Sequence, residues 1–241
     1  MNNALAITGL CLLCLMLLGS LWLYVRFFPS SKDAHERTAS LSFDAAIVAI
    51  ILIMTFVPNM GFIFVTPFIS FTLLHLPVLL GAALFGWKKG LLYGLVFGIC
   101  SYVQALLQGA GFNLLFAYPW TAIPPRVVFG LLAGLAFSFT RKLHNNLAKS
   151  LYLGLGSAVL TAIHTGLVFL TLYAFFPAEV SGLLGSSDPL AEGTGLTFLL
   201  AILLGMVGEM GLAAVLVPSL YLAITKAVPS LGKKHRRKEN A

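Results

Sequence analysis

Charge is scarce in this chain. Lys, Arg, Asp and Glu make up 10% of its 241 residues, whereas 59% are hydrophobic. A water-soluble domain carries roughly 25% charged residues, so too little charge is present to cover an aqueous surface. Cysteine is equally sparse. Cys11, Cys14 and Cys100 all lie inside apolar blocks, which excludes a disulfide framework. The Cys11-x-x-Cys14 spacing lacks the polar surroundings that stabilise a thiolate, so these residues read as packing groups. Long polar linkers are missing as well, and with them any room for a separate ATPase domain. The GxSxG, HExxH and GxxxxGK[ST] signatures do not occur, which argues against hydrolase, metalloprotease and nucleotide-binding chemistry. No His, Cys and carboxylate set has metal-ligand spacing, and neither a metal nor a cofactor is expected.

What the chain does have is a succession of apolar runs of membrane-crossing length. The first, Ala4 to Val25, precedes its positive charge, the reverse of a secretory signal, and reads as a retained anchor. Phe43 to Val57 follows, with Ser42 and Asp44 placed to cap its start. A buried, Pro-containing loop from Pro58 to Ser70 leads into a short helix from Phe71 to Phe85. Leu91 to Leu107, Trp120 to Phe139, Leu151 to Phe176 and Leu196 to Ala227 complete the set. Pro124 and Pro125 suit a first helical turn, and Pro177 to Gly195 reads as a loop. The expected fold is an all-α integral membrane protein, a six-helix bundle preceded by one extra N-terminal transmembrane helix. Its divisions are residues 1–42 as anchor and basic linker, 43–228 as six-helix membrane domain, and 229–241 as basic tail.

Of the 15 basic residues, all except Arg126 fall in the connections after the first, third and fifth spans or at the C-terminal end. Lys and Arg accumulate in cytoplasmic loops. This pattern therefore sets the N-terminus outside and the C-terminus in the cytoplasm of a multi-pass protein of the bacterial cell membrane. The net charge of +7 is accounted for by topology and contact with the lipid bilayer, and calls for no nucleic acid.

Two charged residues remain deep within the spans, Arg126 and Glu209. Charges at such depth face a cavity or each other and mark a pathway or ligand site. Either a mutual Arg126–Glu209 bridge or contact with a substrate explains them. His75, His164, Asn113 and Trp120, together with Asn59, Gln104 and Tyr118, are the other polar or amphipathic groups of the outer half, where interhelical hydrogen bonding is the plain alternative. Gly86, Gly90, Gly94 and Gly98 recur at i, i+4, as do Gly130 and Gly134. Such ridges let a neighbouring helix approach closely. Ala45 and Ala49 form a smooth patch on the Phe43 helix.

Several of these features, in this order, resemble the substrate-binding S component of an energy-coupling factor (ECF) vitamin transporter. They are Ala45-xxx-Ala49, the Pro-Asn-Met-Gly-Phe-Ile loop, Ile69-Ser-Phe-Thr-Leu-Leu-His-Leu-Pro-Val, Leu84-Phe-Gly-Trp-Lys-Lys-Gly with its glycine ridge, and Pro125-Arg-Val-Val-Phe-Gly-Leu-Leu-Ala-Gly. The resemblance implies a non-enzymatic subunit that captures a water-soluble vitamin from outside. It also implies a transmembrane T subunit, docked through Ala45 and Ala49, and two cytoplasmic ATPase subunits. The loop from Pro58 to Ser70 would be part of the outer gate, with Arg126, His75, Asn113, Glu209, His164 and Trp120 as the substrate-binding candidates. The segment Thr72-Leu-Leu-His-Leu-Pro-Val is similar to that of pantothenate S components, and Arg126 suits an anionic cargo. A membrane enzyme using His75, His164 and Glu209, or an assembly protein using the glycine and alanine faces, are the alternatives.

Overall fold

The computed structural model describes Gly19 and residues 34–228, apart from 59, 67–68, 109–110 and 186–194. The expected N-terminal anchor and the basic tail lie outside the described residues, as does Asn59. Among the described residues from 34 to 228 there are seven α-helices: α1 (Ala34–Phe56), α2 (His75–Phe85), α3 (Trp87–Gln108), α4 (Pro119–Phe137), α5 (Asn146–Phe175), α6 (Pro177–Gly185) and α7 (Gly195–Ala227). Four helical stretches among the described residues, Trp87–Leu107, Pro119–Thr140, Asn146–Phe175 and Ile202–Ala227, are long and apolar enough to cross a membrane, the second running past the end of α4 into a 3₁₀ turn. Ser40–Phe56 and His75–Phe85 are shorter apolar helices. The chain is an integral membrane protein built chiefly of helices.

Four local readings are corrected by the structure. The stretch expected to be an irregular loop pairs as a two-stranded antiparallel hairpin, β1 (Phe62–Thr66) with β2 (Ile69–Thr72). Its β-branched and aromatic residues favour extended backbone. As a result α2 begins only at His75, which brings Pro77 into its first turn, where the missing N–H costs no bond. Pro124 and Pro125 instead lie inside α4, which starts at Pro119, so Pro119 is the proline of its first turn. Ser42 and Asp44 do not cap a helix: α1 starts at Ala34, so both are interior residues of it. Finally, Pro177 opens the short helix α6 in a segment read as loop, a position proline favours.

The glycine ridges do pack as their spacing requires. A Cβ added to Gly90 would strike the Gly130 carbonyl, and one on Gly130 would strike that of Gly90. Gly134 meets Trp87, and Gly94 meets the Arg126 carbonyl. These pairings run in opposite chain directions, so α3 and α4 are antiparallel and touch backbone to backbone. Around this seam sits the main core, with Tyr93, Phe97, Phe129 and Phe137 almost wholly buried alongside Val78, Leu79 and Leu153. The outward faces of α5 and α7 carry exposed Leu151, Leu155, Leu170, Leu204 and Val215, as expected of helices facing lipid.

Candidate functional site: a buried cationic and imidazole cluster

Pro125 has no N–H to give to the carbonyl of Thr121, its normal i−4 acceptor. The Arg126 side chain fills that role: its Nη1 donates to the Thr121 oxygen at 3.0 Å. The Thr121 hydroxyl, itself fully buried, donates to the carbonyls of Leu115 at 2.6 Å and Tyr118 at 2.9 Å. This ties the 3₁₀ segment Gly111–Ala117 to the start of α4. The helix defect, the proline and the arginine thus form one local device that holds a guanidinium inside the bundle.

Arg126 is 5% exposed. Its guanidinium carbon lies 4.7 Å from the centroid of Phe116 and 5.7 Å from that of Phe97, distances at which aromatic faces attract a cation. Its Nε is buried with no hydrogen-bond partner among the described residues. Among the described residues no carboxylate lies within ion-pairing distance of it; the ion pair found there joins Lys89 to Asp44.

Next to Arg126 lies His164 on α5, whose ring centroid is 5.6 Å from that of Phe97 and 4.7 Å from that of Phe129. On its far side His75, the first residue of α2, stacks against it at 6.3 Å with an interplanar angle of 27°. Both imidazoles are buried. Among the described residues His164 Nε2 and both nitrogens of His75 have no partner that meets hydrogen-bonding geometry, the Thr72 backbone lying close to the His75 ring. Ser157 Oγ, two turns before His164 on the buried face of α5, is unpartnered as well. Buried polar groups are ordinarily hydrogen-bonded. Unsatisfied imidazole nitrogens close to a guanidinium are the arrangement expected of a site completed by a polar ligand; Ser157 lies two turns away along α5.

The proposed bridge between Arg126 and Glu209 is not formed. The Glu209 carboxylate on α7 instead accepts from the backbone N–H of Thr72 at 2.5 Å. Thr72 is the last residue of β2, so Glu209 anchors the hairpin to the bundle, a few residues before His75. Of the sequence-derived candidates, then, the structure gathers Arg126, His164 and His75 and places Glu209 at the hairpin beside them. Asn113 is half-buried on the 3₁₀ segment that also supplies Phe116. Trp120 stays apart from the cluster. It is 45% exposed and packs on Tyr118 and Phe175 at 5.2 and 6.3 Å, as aromatic residues do at the membrane–water boundary.

Sequence reasoning missed the aromatic frame of Phe97, Phe116 and Phe129, and nothing distinguishes these three among 19 phenylalanines. It also missed Asp44, which is buried, ion-pairs with Lys89 and accepts from the Tyr93 hydroxyl at 2.5 Å. A signal for it existed. Asp44, Ile47, Ile51 and Thr55 recur at helical spacing and are all buried, whereas Ala45, Ala46, Ala49, Ile50 and Ile53 are exposed.

A membrane bundle that keeps a cation without a counter-ion beside two unsatisfied imidazoles has the makings of a solute-binding membrane protein. The comparison with known proteins makes this specific. Residues 40–221 match the family described as ECF transporter, substrate-specific component. The chain is 31% identical over 218 residues to the pantothenic acid transporter PanT of Lactococcus lactis subsp. cremoris, covering 81% of this chain and 97% of that protein. It is 30% identical over 147 residues to the pantothenate transporter PanT of Leuconostoc mesenteroides subsp. mesenteroides, covering 59% and 72% respectively. The chain belongs to the family of ECF transporter substrate-specific components. It is a transporter subunit and not an enzyme.

Proposed function

We propose that the chain captures pantothenate, or a closely similar carboxylate, from the outer side of the membrane and delivers it through an energising module. The observation that carries this reading is the buried Arg126 guanidinium with no carboxylate partner among the described residues. Burying such a group is costly unless a negative charge joins it. A ligand carboxylate accepting from the planar guanidinium would supply that charge and satisfy Nε. Pantothenate also carries an amide and two hydroxyl groups. His75, His164, Ser157 and Asn113 are suited to these, with Phe97, Phe116 and Phe129 against its methyl groups. The two pantothenate transporters to which the chain is similar support the same cargo.

Under this reading residues 43–228 form the six-helix substrate-binding domain, with α6 as a short addition. Residues 1–42 are an anchor and linker, and 229–241 a cytoplasmic tail. The N-terminus is outside and the C-terminus inside. The hairpin Phe62–Thr72, fastened by Glu209, covers the outer entrance. Delivery involves a transmembrane T subunit and two cytoplasmic ATPase subunits, with Ala45 and Ala49 on the exposed face of α1 as the T-subunit contact.

The test is binding of radiolabelled pantothenate to the detergent-purified chain, with unlabelled pantothenate, biotin, riboflavin and thiamine as competitors. Saturable binding displaced by pantothenate alone is the expected result. Absence of pantothenate binding, or equal displacement by a cationic vitamin, overturns the cargo assignment.

A further inference from the structure

Asp44 lies within an apolar stretch of α1, yet its carboxylate is satisfied by α3: Lys89 pairs with it and the Tyr93 hydroxyl donates to it at 2.5 Å. Lys89 and Tyr93 are one helical turn apart. Tyr93 is wholly buried, its ring so close to Gly81 of α2 that a Cβ there would collide with it. The acceptor on α1 is thus held by donors whose own positions are fixed by α2, and α3 is in turn locked backbone to backbone against α4.

The next residue along α1 is Ala45. In a helix, consecutive side chains are turned by about 100°, so Asp44 inward places Ala45 and Ala49 together on the opposite, exposed side. Among the described residues its other buried anchors include Ile47, packed near Gly81, and Thr55, beside Cys100 of α3, and of these positions Asp44 carries the charge. Its exposed positions, Ala46, Ile50 and Ile53, are as apolar as its buried Ile47 and Ile51. In lipid no hydrophobic driving force distinguishes the two faces. A buried ionic contact is best attested as a device that specifies register or orientation.

We propose that Asp44, held by Lys89 and Tyr93, is a positioning residue for subunit docking: it fixes the rotation of α1 so that Ala45 and Ala49 face the T subunit. The inference rests on the assignment of that face as the docking surface. It assigns Asp44 no contact with the cargo or with the T subunit itself.

The experiment is co-purification of the T subunit with the tagged full chain, co-expressed with the T subunit and ATPases of its own organism. Pantothenate binding and the melting temperature of each variant are measured alongside. Asp44→Asn is expected to lose most of the co-purified T subunit while still binding pantothenate. Tyr93→Phe is expected to show a smaller loss. The reversed pair Asp44→Lys with Lys89→Asp, which restores the contact with opposite polarity, is expected to recover T-subunit retention. Retention by Asp44→Asn equal to wild type overturns the proposal. So does a loss that the reversed pair fails to repair although it melts like wild type, since the carboxylate would then act by direct contact. Should the wild-type chain retain no T subunit, the docking assignment fails and takes the proposal with it, a result read from wild type alone.

Discussion

The Arg126 guanidinium donates to the Thr121 carbonyl, the acceptor that Pro125 leaves open by lacking an N–H. One buried cation is thereby tethered through a single nitrogen, with its Nε still unpartnered. The tether uses the backbone and not a carboxylate, so the positive charge is oriented without being neutralised. That combination suits a residue whose counter-ion arrives and leaves.

Arg126→Ala is therefore expected to weaken pantothenate binding by about 10- to 100-fold, the equivalent of losing a charge-assisted hydrogen-bonded contact of about 1.5–3 kcal/mol. Arg126→Lys keeps the charge but not the planar fork, and is expected to recover only part of the loss. Titration of both purified variants with labelled pantothenate checks this. Wild-type affinity in Arg126→Ala would remove the guanidinium from the cargo site.

The two imidazoles offer a different contrast. His75 and His164 stack on each other, and both nitrogens of His75 and Nε2 of His164 have no hydrogen-bond partner among the described residues. Replacing either by Phe keeps an aromatic ring for stacking, somewhat larger than imidazole, but removes the polar atoms. His164→Phe and His75→Phe are each expected to leave the melting temperature of the ligand-free protein unchanged or raised, because an unsatisfied buried polar group is removed. The same variants are expected to reduce pantothenate affinity. The pair of measurements separates ligand contact from simple packing: a protein that melts lower and binds normally contradicts the assignment.

Much of the architecture was legible before any coordinates, for reasons particular to each element. The i, i+4 glycines announced the α3–α4 seam because only residues without a Cβ allow such an approach, and Gly90 and Gly130 meet as that requires. Arg126 stood out because a charge within an apolar run has so few explanations. The meeting of His75 with His164 was not legible, since residues on α2 and α5 are brought together only by tertiary packing. Asp44 was misread because Ser42-Phe-Asp44 looks like a cap, and the polar residues 34–42 gave no sign that α1 continues through them. The hairpin was hidden by Pro67, which breaks up a segment too short to show a clear period of two.

Glu209 and Thr72 yield a prediction about the entrance. The Glu209 carboxylate accepts from the N–H of Thr72, and the amide oxygen of Gln can accept from that donor too. Glu209→Gln is accordingly expected to retain most pantothenate binding, whereas Glu209→Ala leaves the N–H of Thr72 unsatisfied. The latter is expected to release the hairpin and speed ligand dissociation, measured by dilution chase of bound label. If Glu209→Gln is as damaging as Glu209→Ala, the negative charge itself is required and the carboxylate touches more than the hairpin.

The glycine seam allows stability to be tested apart from binding. Gly90 and Gly130 face each other across α3 and α4, and a methyl group on either would meet the other's carbonyl rather than a flexible side chain. Backbone cannot move aside as a rotamer can, so Gly90→Ala is expected to force the helices apart and cost about 1–3 kcal/mol or more, the usual penalty of overpacking. Gly166 on α5 has open space at the corresponding position, and Gly166→Ala is expected to be neutral or slightly stabilising, because alanine is the better helix former. Melting temperatures of the two variants in one detergent compare the same chemical change in a closed and an open setting. Because Arg126 belongs to α4 and its carbonyl packs on Gly94, displacement at the seam should reach the site, and Gly90→Ala should bind pantothenate more weakly than Gly166→Ala. Equal stability of the two variants would mean that α3 and α4 are not held backbone to backbone, and the account of how Arg126 is positioned would fall with it.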